Sequence, residues 1–392
     1  MFVESRLTMR HTIINSGESL DAGLTRADKP LYDATHLGHA ATYLTFDLVN
    51  RFWRASGSKV NYIQNITDID DPLLERANRD GVDWRELAHA QIDLFRSDME
   101  ALRVLPPEHY EGAVHAIPDV IAAIKKLFAA GAVYKVDNDE YFEVHKDLEF
   151  GSESHLKRTE MLEIFAERGG DPDRAGKRDP LDALLWLAER SGEPSWPSDL
   201  GAGRPGWHIE CAAIALKFAN QTGTTIIDIQ GGGSDLIFPH HEMSASQVRV
   251  LTGKEFAAAY VHAGLIGLDG EKMSKSKGNL VFVSKLISEG VDPMVIRWAL
   301  LKRHYREDYM WLRTEINVAK LELDTLKRAL QRTYVPPTED LVLAIYEALA
   351  DDLDSPRAIS LINEWAGREE DGGDTSQLRR ALDSLLGIVL PS

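Results

Sequence analysis

The stretch from Tyr32 to Asp71 constrains the fold more than any other part of the chain. A short apolar segment at residues 12–14 comes first, followed by the turn Tyr32-Asp33-Ala34-Thr35-His36-Leu37-Gly38-His39. From Ala40 to Trp53 the residues Tyr43, Leu44, Phe46, Leu48, Val49 and Phe52 give a helix one broad apolar face, and Gly57 supplies a stop. Residues 59–66 are rich in β-branched and aromatic side chains, which predicts a strand ending in the acidic loop Thr67-Asp68-Ile69-Asp70-Asp71. Strand, helix and strand in that order make a parallel sheet, and ligands of such sheets bind at the carboxyl ends of the strands.

The pattern resumes far downstream. Residues 84–134 are helical with breaks at Pro106-Pro107 and Pro118, and residues 138–196 are irregular and rich in Gly, Pro and Asp, as expected of an insertion within the sheet domain. From Gly206 a helix is expected over 209–220, a strand over 224–229, the loop Gly231-Gly232-Gly233-Ser234-Asp235, a helix from His241 and a strand over 259–266. Residues 268–279, rich in Gly, Lys and Ser, are expected to form a mobile loop, and from Pro293 the pattern is helical with one strong break at Pro336-Pro337. The expected organisation is a first half of a nucleotide-binding domain over 1–100 and an inserted connective region over 101–205. The second half, with its mobile loop, follows over 206–285, and a C-terminal helical bundle over 286–392.

Composition narrows the class. With 392 residues and 44% hydrophobic side chains the chain can bury several cores, and its single cysteine, Cys211, excludes an intrachain disulfide. The formal charge of −18, from 44 basic and 62 acidic residues, argues against polyanion binding as the main task. No apolar run reaches the length of a membrane span and residues 1–10 lack a signal-peptide core, so a cytoplasmic enzyme without membrane contact is expected.

Two motifs carry the chemistry. In His36-x-Gly38-His39, glycine admits a ligand close to the backbone, the helix N-terminus offers N–H groups, and two imidazoles can donate to phosphate oxygens. In Glu271-Lys272-Met273-Ser274-Lys275-Ser276-Lys277-Gly278-Asn279, three lysines and two hydroxyls crowd a glycine-flanked loop. H-x-G-H after a first strand and K-M-S-K-S after a last strand resemble the paired signatures of class I aminoacyl-tRNA synthetases. Asn65-Ile66-Thr67-Asp68-Ile69-Asp70-Asp71, Glu193-Pro194-Ser195-Trp196, Gly206-Trp207-His208-Ile209-Glu210-Cys211 and Pro239-His240-His241-Glu242 resemble the cysteinyl branch of that class. Asp71-Pro72-Leu73-Leu74-Glu75-Arg76-Ala77, Phe165-Ala166-Glu167-Arg168-Gly169-Gly170-Asp171 and the stretch from Leu37 to Asp47 resemble its mycothiol-ligase arm, which joins cysteine to the amino group of glucosaminyl-inositol.

The resemblance implies an α/β fold: a Rossmann-like parallel sheet of the HUP type, split by an insertion and followed by a helical bundle with no anticodon-binding domain. It implies an ATP-dependent, AMP-forming ligase that makes an aminoacyl-adenylate and passes the acyl group to a small amine, with Mg²⁺ arriving on ATP and tRNA not expected as a partner. By resemblance His36, His39, Lys272 and Lys275 are the catalytic set. Gly38, Gly231, Gly232, Gly233, Asp235, Ser274 and Ser276 meet ATP, and Thr67, Trp207 and Asp235 meet the amino acid. The acidic cluster Asp68, Asp70, Asp71 is assigned to helix capping and loop structure. A tRNA-charging enzyme and a catalytically inactive paralogue are the competing readings. Residues 336–392, with 12 acidic and 4 basic side chains, weigh against the first, and the intact ATP-handling residues against the second.

The departure is at zinc. The family grips the substrate thiolate with a zinc ion, and Cys211 and His240 match two of its ligands, but no cysteine precedes Cys211. Ala27 or Ser16 falls at the missing position, depending on the alignment, and His11, Asp28 and Asp33 are candidate substitutes. Two ligands predict weak zinc binding and an amino-acid substrate altered from cysteine; an ordinary cysteine ligase is the alternative. Oligomeric state is not legible.

Overall fold

The computed structural model describes residues 10–15, 35–219, 224–268, 271–272, 280–370 and 372–391. Along the chain, β1 (Arg10–Asn15) precedes α1 (Leu37–Ala55) and β2 (Lys59–Ile66), and α2 (Asp71–Asp80) and α3 (Trp84–Ala101) lead to β3 (His109–Gly112). α4 (Ala113–Ala129) opens the inserted domain, where β4 (Val133–Val136), β5 (Asp139–Phe142), β6 (Ala183–Ala188) and β7 (Gly203–Pro205) pair antiparallel in chain order, with α5 (Arg158–Glu167) between β5 and β6. The chain returns through α6 (Trp207–Phe218) to β8 (Thr225–Gly233), α7 (Glu242–Thr252) and β9 (Glu255–Ala263).

The main sheet is parallel throughout, in the order β3-β2-β1-β8-β9. Strand order reverses at β1, so a crevice opens beside its carboxyl end, between the start of α1 and the end of β8. A small sheet of β10 (Ile266–Leu268), β11 (Glu271–Lys272) and β12 (Tyr309–Trp311) follows. The helices α8 (Val283–Ser288), α9 (Pro293–Leu301), α10 (Thr314–Leu330), α11 (Glu339–Ala350), α12 (Ser355–Gly367) and α13 (Thr375–Leu386) form the C-terminal bundle. Among the described residues no helix is long and apolar enough to cross a membrane.

Local chemistry explains the deviations from the sequence reading. Residues 231–233, expected in a loop, extend β8, because a Cβ on Gly231 would stand 2.1 Å from the Phe46 ring of α1. Glycine is required there by helix–sheet packing before any ligand is considered. β9 starts at Glu255, with Phe256 fully buried, and the chain breaks at Gly264, whose Cβ position is filled by the Glu307 carbonyl 2.5 Å away. β3 lies within the span read as the insertion yet joins the main sheet. The remaining strands there are only three to six residues long, too short to show a period against their turns.

α1 is also the joint to the bundle. Asp47, Arg51 and Arg297 are at most 5% exposed. Arg297 donates to Asp47 and, 2.6 Å away, to the Leu386 carbonyl; Arg51 donates to Asp47 and, at 2.7 Å, to the Asp383 carbonyl. Both guanidinia thus meet the carboxyl end of α13, where the helix dipole favours cations.

Candidate active site

The head of α1 is closed by its own residues. His36 is the N-cap, with Nδ1 accepting from Gly38 N at 3.0 Å and His39 N at 3.3 Å. Leu37 N donates to the Val281 carbonyl and Ala40 N to the His36 carbonyl. The first four N–H groups of the helix therefore all have protein partners. This corrects the expectation that they are open to phosphate: what this end can offer an anion is imidazole. Because Nδ1 of His36 is an acceptor, its ring proton in the neutral form sits on Nε2. The His36 and His39 rings stack with centroids 3.7 Å apart.

The same turn is tied to the chain leaving the Lys/Ser loop, since Val283 N donates to the Thr35 carbonyl and His36 bridges Phe282. β11 places the backbone of Lys272 against Gly267 of β10. Ser274, Lys275 and Ser276 lie outside the described residues, as do Ser16, Ala27, Asp28 and Asp33.

A second group gathers at the head of α6 and the end of β2. Asn65 Nδ2 donates to Cys211 Sγ at 3.0 Å, His240 Nε2 lies 3.1 Å from the same sulfur, and His240 Nδ1 lies 3.1 Å from His208 Nδ1. All four residues are at most 7% exposed. Burial drives the His240 pKa well below its ordinary value, and the neighbouring His208 adds to this; burial alone takes His208 down to about 4. Each neutral ring has one proton, so a proton on either side of the His240–His208 contact fixes both tautomers. Trp207 covers His240, ring centroids 4.4 Å apart, and its Nε1 and the Thr67 Oγ1 are buried without hydrogen-bond partners among the described residues. In native folds such atoms are ordinarily met by a ligand or an ordered water.

Asp68, Asp70 and Asp71 have structural partners. Asp70 caps α2 through Leu73 N at 2.8 Å, Asp68 accepts from Val114 N at 2.9 Å, and Asp71 pairs with Arg204.

Zinc can be judged on the donors present. Cys211 and His240 converge, with Nε2 3.1 Å from Sγ, and a thiol and an imidazole are donors of the kind zinc takes. Among the described residues no third His, Cys, Asp or Glu completes a set. His11 is excluded: it stands at the amino end of β1, 3.2 Å from Asp228 and tilted against Trp53 with ring centroids 4.3 Å apart, at the opposite end of the sheet.

The carboxyl ends of β8 and β9 hold residues that the sequence reading missed. His241 Nδ1 lies 2.7 Å from His262 Nε2, and a Cβ on Gly232 would lie 3.2 Å from the His241 ring. Burial lowers the His262 pKa to about 4, against a smaller opposing pull from Asp235. The two histidines are 21 positions apart on different elements, so no local pattern joins them.

Comparison with known proteins identifies the family. Residues 25–321 match the family model described as the tRNA synthetases class I (C) catalytic domain. The chain is 54% identical over 366 residues to a protein of Thermomonospora curvata named L-cysteine:1D-myo-inositol 2-amino-2-deoxy-alpha-D-glucopyranoside ligase, covering 92% of this chain and 87% of that one. A protein of the same name from Rhodococcus erythropolis is 57% identical over 369 residues, covering 92% and 88%. Among solved structures, Mycobacterium tuberculosis methionyl-tRNA synthetase with methionyl-adenylate shares the fold, with a TM-score of 0.66 at 16% identity over 92% of this chain and 82% of that one. The chain therefore belongs to the class I (C) tRNA synthetase catalytic-domain family, and it is an ATP-dependent amino acid ligase of that family's kind.

Proposed function

We propose that this chain activates cysteine with ATP and transfers the cysteinyl group to the amino group of a glucosaminyl-inositol. The observation that carries the reading is identity of 54% and 57%, across 92% of the chain, to proteins named for that ligation. It outweighs the inference from the missing upstream cysteine that the amino acid is altered, because that inference rests on one position.

The reaction has two steps. A carboxylate oxygen of cysteine attacks the α-phosphorus of Mg²⁺-ATP and pyrophosphate leaves; the acceptor amine then attacks the acyl carbon, loses a proton, and AMP leaves with the bond to the carbonyl. Charge builds on phosphate oxygens in the first step, so positioning and cationic or N–H donors do most of the work. In this reading His36 and His39 donate to the α-phosphate region, and Lys272 and Lys275 hold the departing pyrophosphate. Ser274 and Ser276 meet ATP. Gly38 and the glycines at the end of β8 lie along the ATP path, where their missing side chains make room for the His36 ring and for Phe46 rather than for the nucleotide, and Asp235 meets the ribose or the substrate ammonium. Thr67 and Trp207 line the cysteine pocket with the two unmet polar atoms described above. Cys211 and His240 would hold a zinc ion, whose chemistry is to prefer a soft thiolate to a hydroxyl.

The test is product analysis. Incubation with Mg²⁺-ATP, cysteine and the glucosaminyl-inositol should give AMP, pyrophosphate and the cysteinyl amide by mass spectrometry. An amide formed from another amino acid but not from cysteine would overturn the proposal.

A further inference from the structure

One charged side chain of the inserted domain reaches the backbone of the proposed substrate site. Arg168 Nη1 donates to the carbonyls of both Asp235 and Phe238. The sequence explains why those carbonyls need an outside donor. The partner of the Asp235 carbonyl in a continuing helix would be residue 239, and Pro239 has no N–H. The turn is irregular, with Phe238 extended at φ −139°, ψ 136°, and Glu242 N–H is taken by the Ile237 and Pro239 carbonyls. Without Arg168 two carbonyls beside the site would lose charge-assisted bonds.

The insertion grips the same turn from its other end. The Glu242 carboxylate, fully buried, accepts from Gly151 N at 2.8 Å, Ser154 N at 2.8 Å and Glu153 N at 3.1 Å. Between these two grips lies the segment that bears Asp235 and His240. The sequence also aims Arg168. It follows the last residue of α5; Gly169 has φ +83°, and a Cβ on Gly170 would lie 2.5 Å from the Phe165 ring. The Gly-Gly pair therefore folds the chain back against α5 and leaves the guanidinium directed at the turn.

We propose that Arg168 is a positioning residue: it sets the Asp235–Phe238 backbone so that Asp235 and His240 hold the amino-acid substrate, which makes the insertion part of substrate recognition. The inference rests on the reading that Asp235 and His240 face substrate. It gives the Phe-Ala-Glu-Arg-Gly-Gly segment a task that neither ATP chemistry nor the zinc position supplies.

The experiment compares wild type, Arg168→Ala and Arg168→Lys in cysteine-dependent pyrophosphate exchange, with hydrogen exchange of residues 236–242 measured in parallel. For Arg168→Ala, KM for cysteine should rise about 10-fold or more while KM for ATP changes less, as expected when charged hydrogen bonds to one subsite are lost. Amide protection over 236–242 should fall, Arg168→Lys should recover part of both effects, and millimolar guanidinium should partly rescue Arg168→Ala. Wild-type KM for cysteine in both variants, or equal losses for ATP and cysteine without rescue, would overturn the role. If Arg168→Ala does not fold, Arg168→Lys carries the same test. Absence of exchange with cysteine in wild type, with exchange on another amino acid, would instead refute the cysteine reading, and the KM comparison would then use that amino acid.

Discussion

The heads of α1 and α6 both lie at the carboxyl side of the main sheet, yet they are finished differently. At α1 the N-cap His36, the Val281 carbonyl and the helix itself take up the first four N–H groups. At α6 the N-cap is Gly206, which offers no side chain, and Trp207 Nε1, Thr67 Oγ1 and Glu210 Oε2 are buried without partners among the described residues. At the first end the backbone donors are taken by the protein and the imidazoles are what remains, whereas the second end leaves polar atoms for a ligand or water to meet. A reaction common to a whole family suits the first, and a choice among substrates suits the second. In the proposed enzyme, therefore, substitutions at α1 should lower the rate with any amino acid, and those at α6 should change which amino acid is accepted.

The largest expected effect lies at the first end. His39→Ala or Lys275→Ala should lower adenylation about 100-fold or more, whatever the amino acid, with circular dichroism unchanged. His36 separates its two tasks: His36→Asn keeps an N-cap acceptor, so it should retain stability while losing rate, and His36→Ala should also lose about 1 kcal/mol in denaturant titration. Full activity in these variants would undo the assignment of this end to ATP.

A smaller change is expected at the second end. Trp207→Phe and Thr67→Val remove the two unmet polar groups, and each should raise KM for cysteine about 10-fold with KM for ATP nearly unchanged. If ATP suffered equally, the division between the two ends would fail.

The smallest effect sharpens the comparison by pH. Asp98 of α3 is 2% exposed beside Thr35, and burial raises its pKa to about 7. Between its unfolded value near 4 and about 7 the native state holds the extra proton, so this carboxyl costs stability as pH rises through that window. Asp98→Asn should therefore stabilise the fold by about 1 kcal/mol or more at pH 8 and by much less at pH 4.5, read from thermal melts. A gain independent of pH would show that the carboxyl is not held protonated.

What the sequence revealed follows from the range over which each signal acts. α1 and β2 were legible because their apolar periods and stops are local, and Asp70 could be read as a cap because a cap is three residues from its target. Gly231 misled because a glycine run looks the same whether it serves a turn, a ligand or, as here, the approach of Phe46. The open N-terminus expected of α1 was wrong because it depends on where one His36 nitrogen points. The contacts of Asn65, His208, His240 and Cys211, the His241–His262 pair and the reach of Arg168 are made between distant elements, and no spacing rule announces them.

The most direct test is the ratio of cysteine- to serine-dependent pyrophosphate exchange in wild type and in Cys211→Ala, with KM for ATP measured in both. The account predicts that cysteine is strongly preferred in wild type, and that Cys211→Ala loses most of that preference while KM for ATP stays within about 2-fold. Serine exchange equal to cysteine exchange in wild type, or a Cys211→Ala enzyme that keeps the full preference, would contradict it.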